Sequence, residues 1–237
     1  MRHKNVILFA VTLFCVGLTG LKAQTVKDID GNVYKTVTIG TQVWMAENLK
    51  TTKYRNGDLI GTTTPATLDI SGESTPKHQW TYDGNESNVA TYGRLYTWYA
   101  VTDSRNVCPA GWHIPTDDEW TTLTNYLTNN GYGYEGSGSD IAKSMASTSG
   151  WTTDPTAGNV GNDQASNNRS GFTALPSGYR EGDGTFYDVG SNGGWWSSSE
   201  YSSTNAFFRC MYYDISSVYR FNLGKENGFS VRCLRDL

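Results

Sequence analysis

The stretch CPAGWHIPTDDEW, residues 108–120, joins a cysteine and a glycine-proline turn region to the clearest helix start in the chain. Thr116 and Glu119 have the spacing of a capping box, in which each side chain satisfies a free backbone N–H of the first turn. The acids between them lie where the helix dipole is positive. We expect a helix beginning after Pro115 with one apolar face. The apolar positions are Trp120, Leu123 and Leu127.

The cysteines set a second constraint. Cys15 lies in the apolar N-terminal run, which leaves Cys108, Cys210 and Cys233 for the remaining chain. One bridge and one spare thiol is the simplest arrangement where disulfides persist. The apolar run 207–212 predicts that Cys210 is a buried, unreactive thiol. A bridge from Cys108 to Cys233 would close most of the domain and contribute at most about 5 kcal/mol.

The N-terminus has the pattern of a secretory signal peptide. A basic start at residues 2–4 is followed by an apolar run, 6–21, that is short for a membrane span, and by a small residue at Ala23. We expect residues 1–23 to be a signal peptide and 24–237 to be a single domain. The predicted location is secreted, periplasmic or cell surface, with no membrane span after signal removal.

Composition excludes some partners and favours strands. The net charge is −4, and removal of the first 23 residues would take away basic groups only. This balance argues against nucleic acid and anionic membranes, which select basic patches. The chain has 8 Trp, 15 Tyr and 8 Phe but only 18% charged residues, which favours strands, turns and stacking surfaces over long helices.

Short β-prone runs frame the domain. Residues 33–40 and 42–45 predict a hairpin or meander, and Asp30-Gly31 before them predicts a tight turn. The alternating oxygens of Asp28, Asp30 and Asn32 resemble the start of a calcium loop, but the glutamate that would complete one is missing. Residues 56–88 are predicted to be a long surface excursion.

The remaining elements are less sharply marked. Leu95, Trp98 and Tyr99 have helical spacing and suit a short buried helix, although a strand is equally compatible with so short a run. A second helix is predicted from Ser139 to about Gly150. Further strands are predicted at 206–213 and 218–223, paired as a hairpin, and at 228–234.

Several separated motifs occur in a characteristic order: 30–34, 42–49, 108–116, 195–198 and 228–233. Together they resemble the Fibrobacter succinogenes major paralogous domain family across nearly the whole chain after residue 23. That family is similar to the C-type-lectin-like and formylglycine-generating-enzyme-like folds. The resemblance implies an α+β fold, with two short helices flanking twisted antiparallel sheets and a long-range Cys108–Cys233 disulfide. Its members are secreted or surface-exposed bacterial proteins.

Most catalytic and metal-binding patterns are missing. The sequence lacks the Glu-Pro-Asn or Gln-Pro-Asp loop and the Trp-Asn-Asp strand of a calcium-dependent lectin site. A formylglycine-generating enzyme needs two reactive cysteines, and only Cys210 is left after the implied bridge. Neither a His-Glu-x-x-His helix nor a Gly-x-Ser-x-Gly elbow occurs. His113 is predicted to be a hydrogen-bonded structural residue. We therefore predict no catalytic residue, metal or cofactor.

The favoured function is a non-enzymatic recognition module that binds an extracellular glycan or protein through aromatic faces. A scaffold in an extracellular assembly is the alternative, and an enzyme related to the formylglycine-generating group is disfavoured. Adjacent tryptophans on a strand point to opposite faces, so at least one should be core. Arg180 and Glu181 could also pair simply at the surface. The candidate binding residues are Tyr179, Arg180, Glu181, Asp183, Trp195, Trp196 and Glu200.

Overall fold

The computed structural model describes residues 24–237, so the predicted signal peptide lies outside the described residues. Over this range the fold is α+β and mostly β, with mixed sheets and a few short helices. No helix between residues 24 and 237 has the length and apolar character needed to cross a bilayer.

The strands are short and span the described chain. They are β1 (Thr25–Lys27), β2 (Val33–Ile39), β3 (Gln42–Met45), β4 (Gln79–Trp80), β5 (Leu95–Thr97), β6 (Trp112–His113), β7 (Ser177–Arg180), β8 (Phe186–Val189), β9 (Asn192–Glu200), β10 (Asn205–Tyr212), β11 (Tyr219–Gly224), β12 (Gly228–Phe229) and β13 (Leu234–Arg235). The α-helices are α1 (Val89–Tyr92), α2 (Trp98–Val101), α3 (Asp117–Asn129) and α4 (Ala142–Met145).

These strands form two sheets. One has five strands in the order β1-β2-β3-β13-β6, and the other has eight, with β11-β10-β9-β7-β12-β5-β4 as its path and β8 paired to β7. All the pairings between strands are antiparallel except that of β7 with β9. Strands from the two halves of the chain are therefore interleaved in each sheet.

Both predicted hairpins are confirmed. β2 pairs with β3 from Ile39 opposite Gln42, across a turn in which Gly40 has φ +62°, a conformation that glycine adopts without strain. β10 pairs with β11 in a register that places Ala206 opposite Leu223. Because side chains alternate along a strand, paired residues at every second position of each hairpin project from one face of the sheet.

The helix after Pro115 is confirmed as α3. The Thr116 hydroxyl accepts from the Glu119 N–H at 3.2 Å, and the Glu119 carboxylate accepts from the Thr116 N–H at 2.7 Å, which completes the capping box. Its predicted apolar positions are buried, and the Trp120 indole lies 4.7 Å from the Trp44 ring. The helix is therefore anchored on the five-stranded sheet.

The second predicted helix is much shorter than its pattern indicated. Only α4 is helical, because Ala146 turns to an extended conformation and forms a parallel bridge with Ala174. Ser147 then donates its N–H to the Ala174 carbonyl. All four residues of α4 are buried, so packing on every side competes with helical continuation.

Three other predictions need revision. The segment 228–234 forms two strands in different sheets, because β12 pairs with β5 and β7 whereas β13 pairs with β3 and β6. Residues 95–99 combine the whole of β5 with the start of α2, so both interpretations hold in part. The segment 56–88 is largely at the surface, but it also buries Ile60, Ile70 and Trp80 and supplies β4.

The Cys108–Cys233 disulfide implied by the family resemblance is present. The two Cα atoms lie 5.9 Å apart, and 125 residues separate the cysteines in sequence. Both cysteines are buried in the larger apolar cluster. The bridge joins the segment before α3 to the strand segment that ends the chain.

Two apolar clusters lie on opposite faces of β9. Trp196 belongs to one with Tyr96, Phe208 and Phe229, and Trp195 belongs to the other, which includes the α3 face. The expectation that these neighbouring indoles point to opposite faces is confirmed. A single strand therefore contributes a large aromatic group to each cluster.

A buried arginine and asparagine link the elements between the clusters. Arg232 is fully buried and donates through Nε to Asn48 Oδ1 at 2.7 Å and through its other nitrogens to the carbonyls of Met45, Phe172 and Thr173. Burial lowers the pKa of Arg232 to about 9. A buried charge with only neutral acceptors depends on every one of them being in place.

Asn48 is saturated with hydrogen bonds. Its Oδ1 also accepts from Trp195 Nε1 at 2.9 Å, while its Nδ2 donates to the Tyr92 carbonyl and to the Ser230 hydroxyl. Asn48, in the motif at residues 42–49, thus joins three separate parts of the chain through its buried amide.

We expect Asn48→Ala to destabilise the protein by about 3 kcal/mol or more, because it leaves the Trp195 N–H and one Arg232 N–H buried without acceptors. Urea unfolding measures the change. Asn125→Ala is the matched control, since Asn125 is exposed on α3 and alanine suits a helix. Equal stabilities for the two variants would contradict the role assigned to Asn48.

We also expect Cys108→Ser/Cys233→Ser to lower the free energy of unfolding by up to about 5 kcal/mol, because the closed loop is long. Chemical denaturation measures this loss, and the single variant Cys210→Ala is the control that keeps the bridge. Peptide mapping without reduction should recover residues 108 and 233 in one cross-linked species. Recovery of both as free thiols would refute the assignment.

Candidate ligand-binding groove

A groove of about 280 Å³ lies on the eight-stranded sheet, near the hairpin formed by β10 and β11. Small-molecule sites commonly range from about 300 Å³ upward, so this groove suits a small group rather than a large cofactor. Aromatic side chains dominate its lining. The lining residues are Tyr179, Glu181, Asn192, Phe208, Tyr212, Phe221, Asn222, Leu223 and Phe229.

Strand register explains why these side chains meet. Phe208 lies opposite Phe221 on β11, and Tyr212 lies opposite Asn192 on β9, so all four project from the same sheet face. Gly194 lies between the rows and leaves room for the Phe229 ring, which a Cβ at that position would approach to 2.5 Å. The missing side chain therefore shapes the groove floor.

The aromatic rings continue across the sheet as a ladder. Neighbouring ring centroids are 4.4–6.4 Å apart, within the range of favourable aromatic pairs. The ladder is buried at its centre, while Tyr187 and Phe221 keep 38% and 46% of their surfaces exposed. In order across the sheet, the rings are Tyr187, Tyr179, Phe229, Phe208, Phe221 and Tyr219.

The polar groups in the groove are tyrosine hydroxyls and asparagine amides, which are neutral at pH 7, and the carboxylate of Glu181. Burial raises the pKa of Tyr179 to about 12, with Asp188 and Glu181 adding to the effect. Burial likewise raises the pKa of Tyr212 to about 12. Both phenols therefore remain protonated at neutral pH. The Tyr212 hydroxyl is hydrogen-bonded to the Cys210 thiol, which leaves the Tyr179 hydroxyl to donate to a ligand.

Two predicted binding residues, Tyr179 and Glu181, line the groove. Arg180 between them points to the other side of the strand, where its guanidinium stacks 4.0 Å from the Trp80 ring and donates to the carbonyls of Ala66 and Leu68. It is fully buried, so it forms no surface pair with the neighbouring glutamate and is not available to a ligand.

The two predicted tryptophans are also inaccessible. Trp195 and Trp196 have exposed fractions of 1% and 0%, and their indole N–H groups donate to Asn48 and to the Tyr96 carbonyl. Neither can stack on a ligand, because β9 is covered on both faces. The prediction that they offer a binding surface is corrected to a structural role.

The remaining two candidates lie away from the groove. Asp183 lines a separate recess, and its carboxylate accepts from the Thr185 N–H at 2.8 Å. Glu200 lies at the exposed end of β9 and pairs at 2.8 Å with Lys225, which is itself buried against the Trp98 ring. Glu200 therefore neutralises the positive charge of the buried Lys225 ammonium group.

Sequence reasoning missed most of the groove. One signal was available: Tyr219, Phe221 and Leu223 are apolar at alternate positions of β11, while Arg220 lies on its other face. β11 is an edge strand, and exposed positions of edge strands usually carry polar or charged side chains rather than a phenylalanine such as Phe221. The missed lining residues are Asn192, Phe208, Tyr212, Phe221, Asn222, Leu223 and Phe229.

Two other side chains that carry reactive groups, His113 and Cys210, lie in structural environments and are not among the groove-lining residues. His113 is hydrogen-bonded to Asp236 at 2.6 Å and to Glu119 at 3.0 Å, which confirms its predicted structural role. Cys210 is buried and unpaired, as predicted. Across residues 24–237, no three histidine, cysteine or acidic side chains gather in a way that could hold a metal ion.

The fold and the groove define a class: a disulfide-bridged, mostly β domain with an aromatic groove on one sheet face. The chain belongs to the Fibrobacter succinogenes major domain family, whose model matches residues 37–235. The family resemblance noted in the sequence is thereby confirmed. No curated protein and no solved structure matches the chain.

We expect the Cys210 thiol to resist alkylation in the folded protein. Burial raises its pKa to about 12, so the reactive thiolate is almost absent at pH 8. Mass spectrometry after iodoacetamide treatment should find Cys210 unmodified in native protein and modified after denaturation in urea without reductant. Native labelling at the rate of a free peptide thiol would contradict the buried environment described here.

Proposed function

We propose that this protein is a secreted or surface-exposed recognition module that binds carbohydrate in the groove and performs no catalysis. The observation that carries this proposal is the accessible part of the aromatic ladder, where Phe221 keeps 46% of its surface exposed beside hydrogen-bonding groups. Sugar rings bind proteins by stacking their C–H faces on aromatic rings while polar groups fix their hydroxyls.

The chemistry of the groove suits binding better than proton transfer. Phenols with pKa values near 12, such as Tyr179 and Tyr212, hold their protons at neutral pH. General acid–base catalysis works best when the pKa of the group lies near the working pH. The Tyr179 hydroxyl is therefore suited to directing a ligand.

We further propose that residues 24–237 form one exported domain with a C-type-lectin-like arrangement. The basic and apolar pattern of residues 1–23 supports export, as does the Cys108–Cys233 disulfide, since such bridges persist in oxidising compartments. The long-range bridge and the helix after Pro115 support the fold relationship. Its sugar site would differ from the calcium-dependent type, because the groove is aromatic.

A glycan array followed by calorimetry on the best ligand tests the binding function. We expect Phe221→Ala to weaken binding at least tenfold, about 1.4 kcal/mol, because it removes the exposed stacking face. Tyr201→Ala is the matched control, since Tyr201 is exposed and lies outside the groove-lining set. Its affinity should equal that of the unmodified protein.

The same protein preparation distinguishes the scaffold alternative. Self-assembly in light scattering, without selective retention of any glycan, would reject carbohydrate recognition and favour the scaffold function. Equal loss of binding in Phe221→Ala and Tyr201→Ala would place the sugar site elsewhere on the molecule.

A further inference from the structure

One buried polar atom in the groove has no partner. Asn192 has an exposed fraction of 2%, and its Oδ1 makes no hydrogen bond within the described part of the chain. Its Nδ2 donates to the Met211 carbonyl at 3.3 Å, which fixes the amide. Buried oxygens normally accept hydrogen bonds, so this one is suited to an N–H or O–H from a ligand.

The groove also has an uncompensated negative charge. The Glu181 carboxylate takes part in none of the ion pairs or side-chain hydrogen bonds found among residues 24–237, and Asp188 lies close enough to raise the pKa of Tyr179. None of the nine lining residues is lysine or arginine. The charges facing a bound ligand are therefore acidic.

Nearby arginines are directed elsewhere. Arg220 pairs with Asp117 at 2.9 Å and packs over the Phe207 ring, on the opposite face of the hairpin from Phe221. Arg180, as described above, is buried against Trp80. Neither guanidinium offers a charge to the groove, and an acidic ligand would meet repulsion.

Aromatic faces add a second preference for positive charge. The π-face of an aromatic ring attracts an ammonium group, most strongly where water is partly excluded. Phe221, with 46% of its surface exposed, supplies such a ring on the same groove that holds the free carboxylate. Acceptor oxygens, a carboxylate and π-faces together match a ligand that donates hydrogen bonds and carries positive charge.

Resting on the carbohydrate-binding function above, we infer that the groove recognises an amino sugar with a free ammonium group. Glu181 balances the ammonium, Asn192 Oδ1 accepts from a ligand N–H or hydroxyl, and Phe221 stacks on the sugar ring. An N-acetylated sugar lacks the charge, and a uronic acid has the wrong sign.

Calorimetry on the purified protein with three tetramers, of glucosamine, N-acetylglucosamine and galacturonic acid, tests this inference at low ionic strength. We expect the glucosamine tetramer to bind at least tenfold tighter than its N-acetylated form, and the uronate to bind weakest. Salt should reduce the preference, because it screens the partly exposed charge.

Glu181→Gln should reduce the preference for the glucosamine tetramer to less than threefold, because it removes the charge and keeps the shape. Asp183→Asn is the matched control, since Asp183 lies two residues away and lines a different recess. Its preference should remain at least tenfold. Circular dichroism establishes that both variants are folded.

Two outcomes separate this inference from the binding function beneath it. If the N-acetylated or uronate tetramer binds as tightly as glucosamine and Phe221→Ala abolishes that binding, the amino-sugar inference is overturned while carbohydrate recognition stands. If none of the tetramers binds and the glycan array is also empty, both proposals fail.

Discussion

The buried contact between Arg232 and Asn48 is the interaction on which the rest of the fold depends. The guanidinium lies in the interior with only neutral hydrogen-bond acceptors, so burying its charge depends on Asn48 and the three backbone carbonyls that surround it. Those carbonyls come from β3 and from the segment before β7. Folding must therefore bring distant parts of the chain together before this charge can be buried.

The adjoining disulfide acts on the same segment by a different physical route. Cys233 follows Arg232 directly, so the hydrogen bonds and the covalent bridge hold neighbouring residues. The bridge restricts the unfolded chain, whereas the hydrogen bonds satisfy polar groups in the folded one. Between them, β12 and β13 can enter two different sheets while only four residues separate the strands.

Local signals predicted local structure well. The capping box of α3 and the hairpins depend on residues close in sequence, and their patterns were sufficient. The second helix was overestimated because its apolar spacing carried no information about Ala174, the distant residue that pairs with Ala146. The groove was largely missed for the same reason, since β7, β9, β10, β11 and β12 supply its walls. Only Tyr179 and Glu181 were identified, and the conspicuous tryptophan pair belongs to the core.

β11 lies at the edge of the eight-stranded sheet, so the proposed ligand-binding surface and the buried core lie in different parts of the molecule. The strand has a single neighbour, β10, and exposes Phe221 to solvent, whereas Arg232 is fully buried. Exchanges at its exposed, groove-facing positions would alter the proposed binding surface while leaving the cross-linked interior intact.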